Sequence, residues 1–155
     1  MYLWGILVLK IKENKLFCHN FVIDFNENYE EAKNRYSKII HYFYDKRKEI
    51  VLNNDDVFGL TASVILDFSN GLVIYCIPDY TLLTKNDLDI KTREEVSGIF
   101  ITTMVNNIKE KYDVMPCSDN INFDYKEVVW EIEGIKIKVF FDRKTGLFKV
   151  FLSNV

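Results

Sequence analysis

Three pairs of carboxylates lie close together in the chain: Asp55-Asp56, Asp87 with Asp89, and Glu94-Glu95. Acids placed side by side can hold a divalent cation or share general acid–base work. In an extended segment Asp87 and Asp89 fall on one side, with Leu88 turned the other way. The plainer reading is solvation. For Glu94 and Glu95 it is interaction with the positive end of a helix dipole.

Other chemistry is thinner. Cys117 sits in Met115-Pro116-Cys117-Ser118-Asp119, a loop-like stretch, and is the thiol best placed to be exposed. A reactive cysteine needs a base or a positive environment. Its neighbours are Asp113, Asp119 and Asp124, which oppose a thiolate. Cys18 and Cys76 lie inside apolar runs and read as small buried hydrophobes. The histidines are His19 and His41, and no Cys-x-x-Cys, His-x-His or His-Glu-x-x-His occurs. Cys18 and His19 are strand neighbours pointing to opposite faces, so they do not share an ion. No metal site or cofactor is expected. The six glycines are isolated, which excludes nucleotide binding through a Gly-rich phosphate loop. Lysine and aromatic residues interleave over residues 135–141. With Ile135, Ile137, Val139 and Phe141 inward, Lys136, Lys138 and Phe140 face out. Such a surface can stack single-stranded nucleic acid, but lysines also protect an edge strand.

These residues must be held by regular elements. Tyr2–Ile11 and Leu16–Phe25 are apolar runs around a polar turn, and predict a hairpin without an Asn-Gly signal. Asn28 suits a helix cap, and Tyr29, Ala32, Tyr36, Ile39, Ile40 and Phe43 recur at helical spacing. This predicts a helix over 28–48. A loop over 53–56 follows, then strands over 57–68 and 72–77 around Ser69-Asn70-Gly71. Pro78 ends the second strand, and 79–91 reads as a polar connection. Thr92 with Glu95 has the form of a capping box for a helix over 93–112, although 99–103 is also good strand material. After an irregular link come strands over 128–133, 135–141 and 147–152, with turn signals at Gly134 and Gly146. The order is β-β-α-β-β-α-β-β-β. Short turns make the sheet mainly antiparallel. The class is α+β, with two helices on one face and residues 1–155 forming a single domain.

Composition narrows the function classes. Of 155 residues, 48% are hydrophobic and 28% charged, which excludes a disordered or low-complexity chain. No apolar run is long enough to span a membrane. The start lacks the positive residues and cleavage site of a signal peptide, and three widely spaced cysteines do not form a disulfide framework. A reducing, cytoplasmic setting is expected. The net charge is −3, and residues 53–95 hold eight acids against three basic residues. That balance opposes nucleic acid and favours a basic protein.

The leading expectation is a non-catalytic protein-binding module. Its most concrete form is an immunity or inhibitor protein that neutralises a basic toxin such as a nuclease. Asp55, Asp56, Asp79, Tyr80, Asp87, Asp89, Glu94 and Glu95 would form the acidic contact surface. The alternatives are a small enzyme using paired carboxylates and a sensor domain with an apolar cavity. Exposed edge strands are compatible with a homodimer.

Overall fold

A computed structural model describes residues 10–57, 61–78 and 90–155. Eleven strands and two α-helices are found there. They are β1 (Ile11–Lys12), β2 (Lys15–Phe17), β3 (Val22–Asp24), α1 (Tyr29–Arg35), β4 (Ile40–Tyr44), β5 (Glu49–Asp56) and β6 (Thr61–Asp67). The chain continues with β7 (Val73–Pro78), α2 (Ile90–Tyr112), β8 (Ser118–Ile121), β9 (Tyr125–Ile132), β10 (Ile135–Asp142) and β11 (Leu147–Asn154). The first three strands form a small sheet. The other eight form one sheet in the order β4-β5-β6-β7-β11-β10-β9-β8, with every neighbouring pair antiparallel. The expected α+β class with a mainly antiparallel sheet is the observed one.

The large sheet is two four-stranded meanders placed back to back. Each meander follows a helix: α1 precedes β4–β7, and α2 precedes β8–β11. Their last strands, β7 and β11, pair at the centre. The repeat is one of topology, and no matching residue pattern accompanies it.

Alternation explains which side is core. Ala62, Val64 and Leu66 on β6, Ile74 and Cys76 on β7, and Ile135, Ile137 and Val139 on β10 are fully buried. Their sequence neighbours on the same strands are mostly half-buried or exposed. Phe100, Ile101, Met104 and Ile108 from α2 and Tyr29 and Ala32 from α1 close over the buried face. Leu16 and Ile23 of the small sheet join the same cluster. Each fully buried Leu, Ile, Phe or Met among them contributes about 1.5–3 kcal/mol by leaving water. Phe100 meets Phe148 edge-on, with ring centroids 5.1 Å apart. The Tyr112 hydroxyl accepts from the Ile11 amide at 3.0 Å, tying the end of α2 to the small sheet.

Turn chemistry accounts for the hairpins. Glu13 and Asn14 both take positive φ between β1 and β2, so this tight turn forms without glycine. Glu133 and Gly134 do the same between β9 and β10. Gly71 and Gly146 supply positive φ in the two remaining turns signalled by glycine.

Several expectations are corrected. The helix expected over 28–48 ends at Arg35, and its second half is strand β4 followed by a 3₁₀ turn at Asp45–Arg47. Ile40-His41-Tyr42-Phe43-Tyr44 is a β-branched and aromatic run that gains more from pairing with β5. The loop expected over 53–56 belongs to β5, where a register shift between Leu52 and Asp55 absorbs Asn53 and Asn54. The segment expected as strand 16–25 is two strands. The link over 113–124 contains β8. The lysine-bearing strand β10 is interior, between β11 and β9, so edge protection does not explain it. Helix α2 begins at Ile90, so Thr92 lies inside its first turn instead of capping it. Most of the first expected strand, and Asp79, Tyr80, Asp87 and Asp89, lie outside the described residues.

Candidate functional site

The face of the large sheet turned away from the helices carries an ordered set of side chains. The strand registers place Tyr42, Val51, Ile65, Tyr75, Phe151, Lys138, Val129 and Ser118 in one row across all eight strands. The row is apolar over the first meander and more polar over the second. At its centre Tyr75 and Phe151 meet edge-on at 5.1 Å. Lys138 lies 5.2 Å from the Phe151 centroid, and Lys149 lies 5.9 Å from that of Tyr75. A depression of about 560 Å³ opens beside them, with Tyr42, Val51, Ser63, Ile65 and Ile77 among its walls. Edge strand β4 leaves Tyr42 and Tyr44 43% and 50% exposed, and their rings touch at 5.3 Å.

Charge surrounds this apolar centre unevenly. Strand alternation puts Glu49, Asp56, Asp67, Glu127, Glu131 and Asp142 on the open face, against Lys136, Lys138 and Lys149. Glu49 stands directly opposite Asp67. Burial raises the Tyr75 hydroxyl pKa, and the charges of Asp67 and Glu49 add to the shift. Like charges directly opposite each other oppose sheet pairing, so facing Glu49 with Asp67 does not serve the β5–β6 pairing.

The acids singled out from sequence are dispersed. Asp55 is 4% exposed, and its carboxylate accepts from the Asn20 backbone amide at 2.8 Å, the Asn20 side-chain amide at 2.9 Å and the Asp56 amide at 2.8 Å. It organises the loop between β2 and β3 and offers no surface to a partner. Asp56 is exposed on the open face. Glu94 and Glu95 lie elsewhere, in a groove of about 880 Å³ beside α2, together with Lys126 and Arg143. Arg143 Nε lies 3.4 Å from the Glu94 carboxylate, and Lys126 Nζ donates to the Glu94 carbonyl at 3.4 Å. Among the described residues two acids there face two cations and offset them.

The remaining candidates occupy ordinary places. The Cys117 thiol is exposed and donates to the Val129 carbonyl at 3.3 Å. Burial, with Asp55 and Asp56 adding, pushes the Cys18 thiol up to about 12. His41 sits on edge strand β4 beside Tyr42. His19 is in the Asp55-organised loop, its amide bonded to the Asp56 carbonyl at 2.9 Å. Among the described residues no three His, Cys, Asp or Glu side chains group as metal ligands would.

Sequence reasoning missed the open face as a unit. Its outward residues come from eight strands, and β4 was read as helix. The one available signal was the outward set Lys136, Lys138 and Phe140, which does face out. Compared with family models, curated proteins and solved structures, the chain matches none.

Proposed function

We propose that the chain is a non-catalytic protein-binding module that captures a basic protein on the open face of its large sheet. Its most concrete form is an immunity or inhibitor protein that neutralises a basic toxin such as a nuclease. The observation that carries this reading is the pairing of Glu49 with Asp67 beside Tyr75 and Phe151. The half-buried Tyr75 and Phe151 rings and the exposed Tyr42 and Tyr44 supply contact area at low entropy cost. Carboxylates around them speed the approach of a cationic partner and set its orientation. A lysine or arginine of the partner would relieve the repulsion between the two acids.

The expectation of an acidic contact surface therefore moves to different residues, with Asp56 alone shared among those described. The test is capture from the host's own lysate with the parent chain and with E49K/D67K, at low and high salt. The reading requires one basic protein that binds the parent, weakens with salt and is lost from the variant. It also requires that co-expression of the parent protect cells from the captured protein's toxicity. Equal recovery on parent and variant would overturn the assignment of this face.

A further inference from the structure

We propose that the cleft between strands β2–β3 and the end of α1 binds a small organic anion that carries a planar ring. The cleft has a volume of about 740 Å³, within the range of small-molecule sites. It shares no lining residue with the depression on the open face and does not depend on the reading given above.

Three aromatic residues stand in its walls, Phe17, Phe21 and Tyr36, and Lys10 Nζ lies 4.8 Å from the Phe17 centroid. Phe17 and Phe21 are half-buried, and Phe21 packs 6.4 Å from the buried Tyr36 ring. The Tyr36 hydroxyl donates to the Val22 carbonyl at 3.1 Å and accepts from the Asp24 amide at 3.3 Å, which holds the ring in place. Flat rings on a rigid wall favour a planar ligand face.

Its opening is cationic. Among the described residues Lys15, Arg35 and Lys38 line the cleft, and no carboxylate does. This contrasts with the α2 groove, where Glu94 and Glu95 offset Lys126 and Arg143. The two acids beside it act on Arg35, which leaves Lys15 and Lys38 as the cations without an ion pair. Glu27 pairs with Arg35. Asp24, opposite Lys15 across β2 and β3, accepts from the Asn26 amide at 2.9 Å and lies 3.9 Å from Arg35. Lys15 and Lys38 make no ion pair among the described residues. In a chain of net charge −3, two such lysines over an aromatic cleft select an anion. Sulfonate, phosphate and carboxylate share the chemistry that they recognise.

Two fluorescent probes separate charge from apolar attraction: anionic 8-anilinonaphthalene-1-sulfonate and neutral N-phenyl-1-naphthylamine. The sulfonate should bind saturably and about tenfold or more tighter than the neutral dye. K15Q/K38Q should weaken the sulfonate about tenfold and leave the neutral dye unchanged. E49K/D67K, which tests the open face, should leave both unchanged. Equal affinity for the two dyes, or sulfonate binding indifferent to K15Q/K38Q, would overturn the proposal. Circular dichroism checks that the variant is folded. In the parent protein the side-chain amide resonances of Asn20 and Asn34, which also line the cleft, must move as the sulfonate is added. Stationary resonances would overturn the proposal without any variant.

Discussion

Glu49 and Asp67 face each other directly across β5 and β6 on the open side of the sheet. Among the described residues no cation comes within ion-pair distance of either. Asp67 also accepts from the Ser69 amide at 2.9 Å, so it helps to shape the β6–β7 turn. Glu49 has no such local task. Replacing it with glutamine should therefore raise stability by about 0.5 kcal/mol, the scale of one cross-strand charge pair. For a chain of this length that is a rise of about 1–2 °C in Tm. The same change should slow capture of a basic partner. Urea unfolding gives the first quantity and stopped-flow association the second. A gain in stability with unchanged association would remove Glu49 from the contact surface.

Asp55 is expected to behave in the opposite way. Its buried carboxylate accepts three hydrogen bonds, two from Asn20 and one from the Asp56 amide. Asp55→Ala would leave those donors without a partner and cost about 2–4 kcal/mol. It should also loosen the β2–β3 loop, to which Cys18 belongs. Removing the charge takes away one cause of the raised thiol pKa, although burial, the larger cause, acts independently. Denaturant unfolding reports the loss of stability. Faster thiol labelling, absent in a Cys18→Ala background, reports the loop.

The contrast between these acids shows what the sequence could carry. Alternation over Ile135–Phe141 gave the correct inward and outward sides, because in a long strand the period of two leaves no ambiguity. Asn28 was legible as a cap, and it does accept from the Glu31 amide at 2.9 Å. The run from Ile39 to Phe43 was not legible. Tyr29, Ala32 and Tyr36 set a helical spacing, and the aromatic residues beyond them fit either period. Pairing with β5, distant in no obvious way from the local pattern, decided for strand. Asp55 and Asp56 were indistinguishable in sequence, yet one is buried and the other exposed. The register shift after Leu52 sets which of them turns inward. Glu49 and Asp67 are 18 positions apart and become neighbours only through the β5–β6 pairing.

A third prediction concerns acid. The Tyr29 hydroxyl donates to Asp45 at 2.6 Å, and Lys33 pairs with the same oxygen at 2.9 Å. The hydrogen bond from Tyr29 is the main reason that the Asp45 carboxyl lies below its ordinary value of 3.8, and Lys33 adds to it. A depressed carboxyl pKa contributes stability above its unfolded value and loses it as pH falls through the folded one. The contact should therefore help to hold α1 to the β4–β5 turn at neutral pH and fail only below about pH 4. Tyr29 reports the other end. Burial and Asp45 raise its hydroxyl to about 12, so its share is present below pH 10 and lost as pH climbs toward 12. Asp45→Asn should flatten the acid limb of a stability profile, and Tyr29→Phe the alkaline limb. Profiles parallel to the parent's at both ends would show that the contact is not coupled to folding.

The last prediction uses adjacent residues with opposite orientations. Leu66 is fully buried in the core cluster, while Ile65 stands on the open face between Val51 and Tyr75. Leu66→Ala removes core volume that cannot refill and should cost about 2–5 kcal/mol. Ile65→Ala shortens a half-buried side chain at the wall of the depression and should cost under about 1.5 kcal/mol. Partner capture should rank them the other way. Leu66→Ala, assayed below its unfolding midpoint, should bind as the parent does, and Ile65→Ala should bind more weakly. The inversion separates a contact surface from one that is merely uncovered, since a face without a partner would let Ile65 be truncated with no loss beyond its stability. Urea unfolding and capture assays on the two variants supply both rankings.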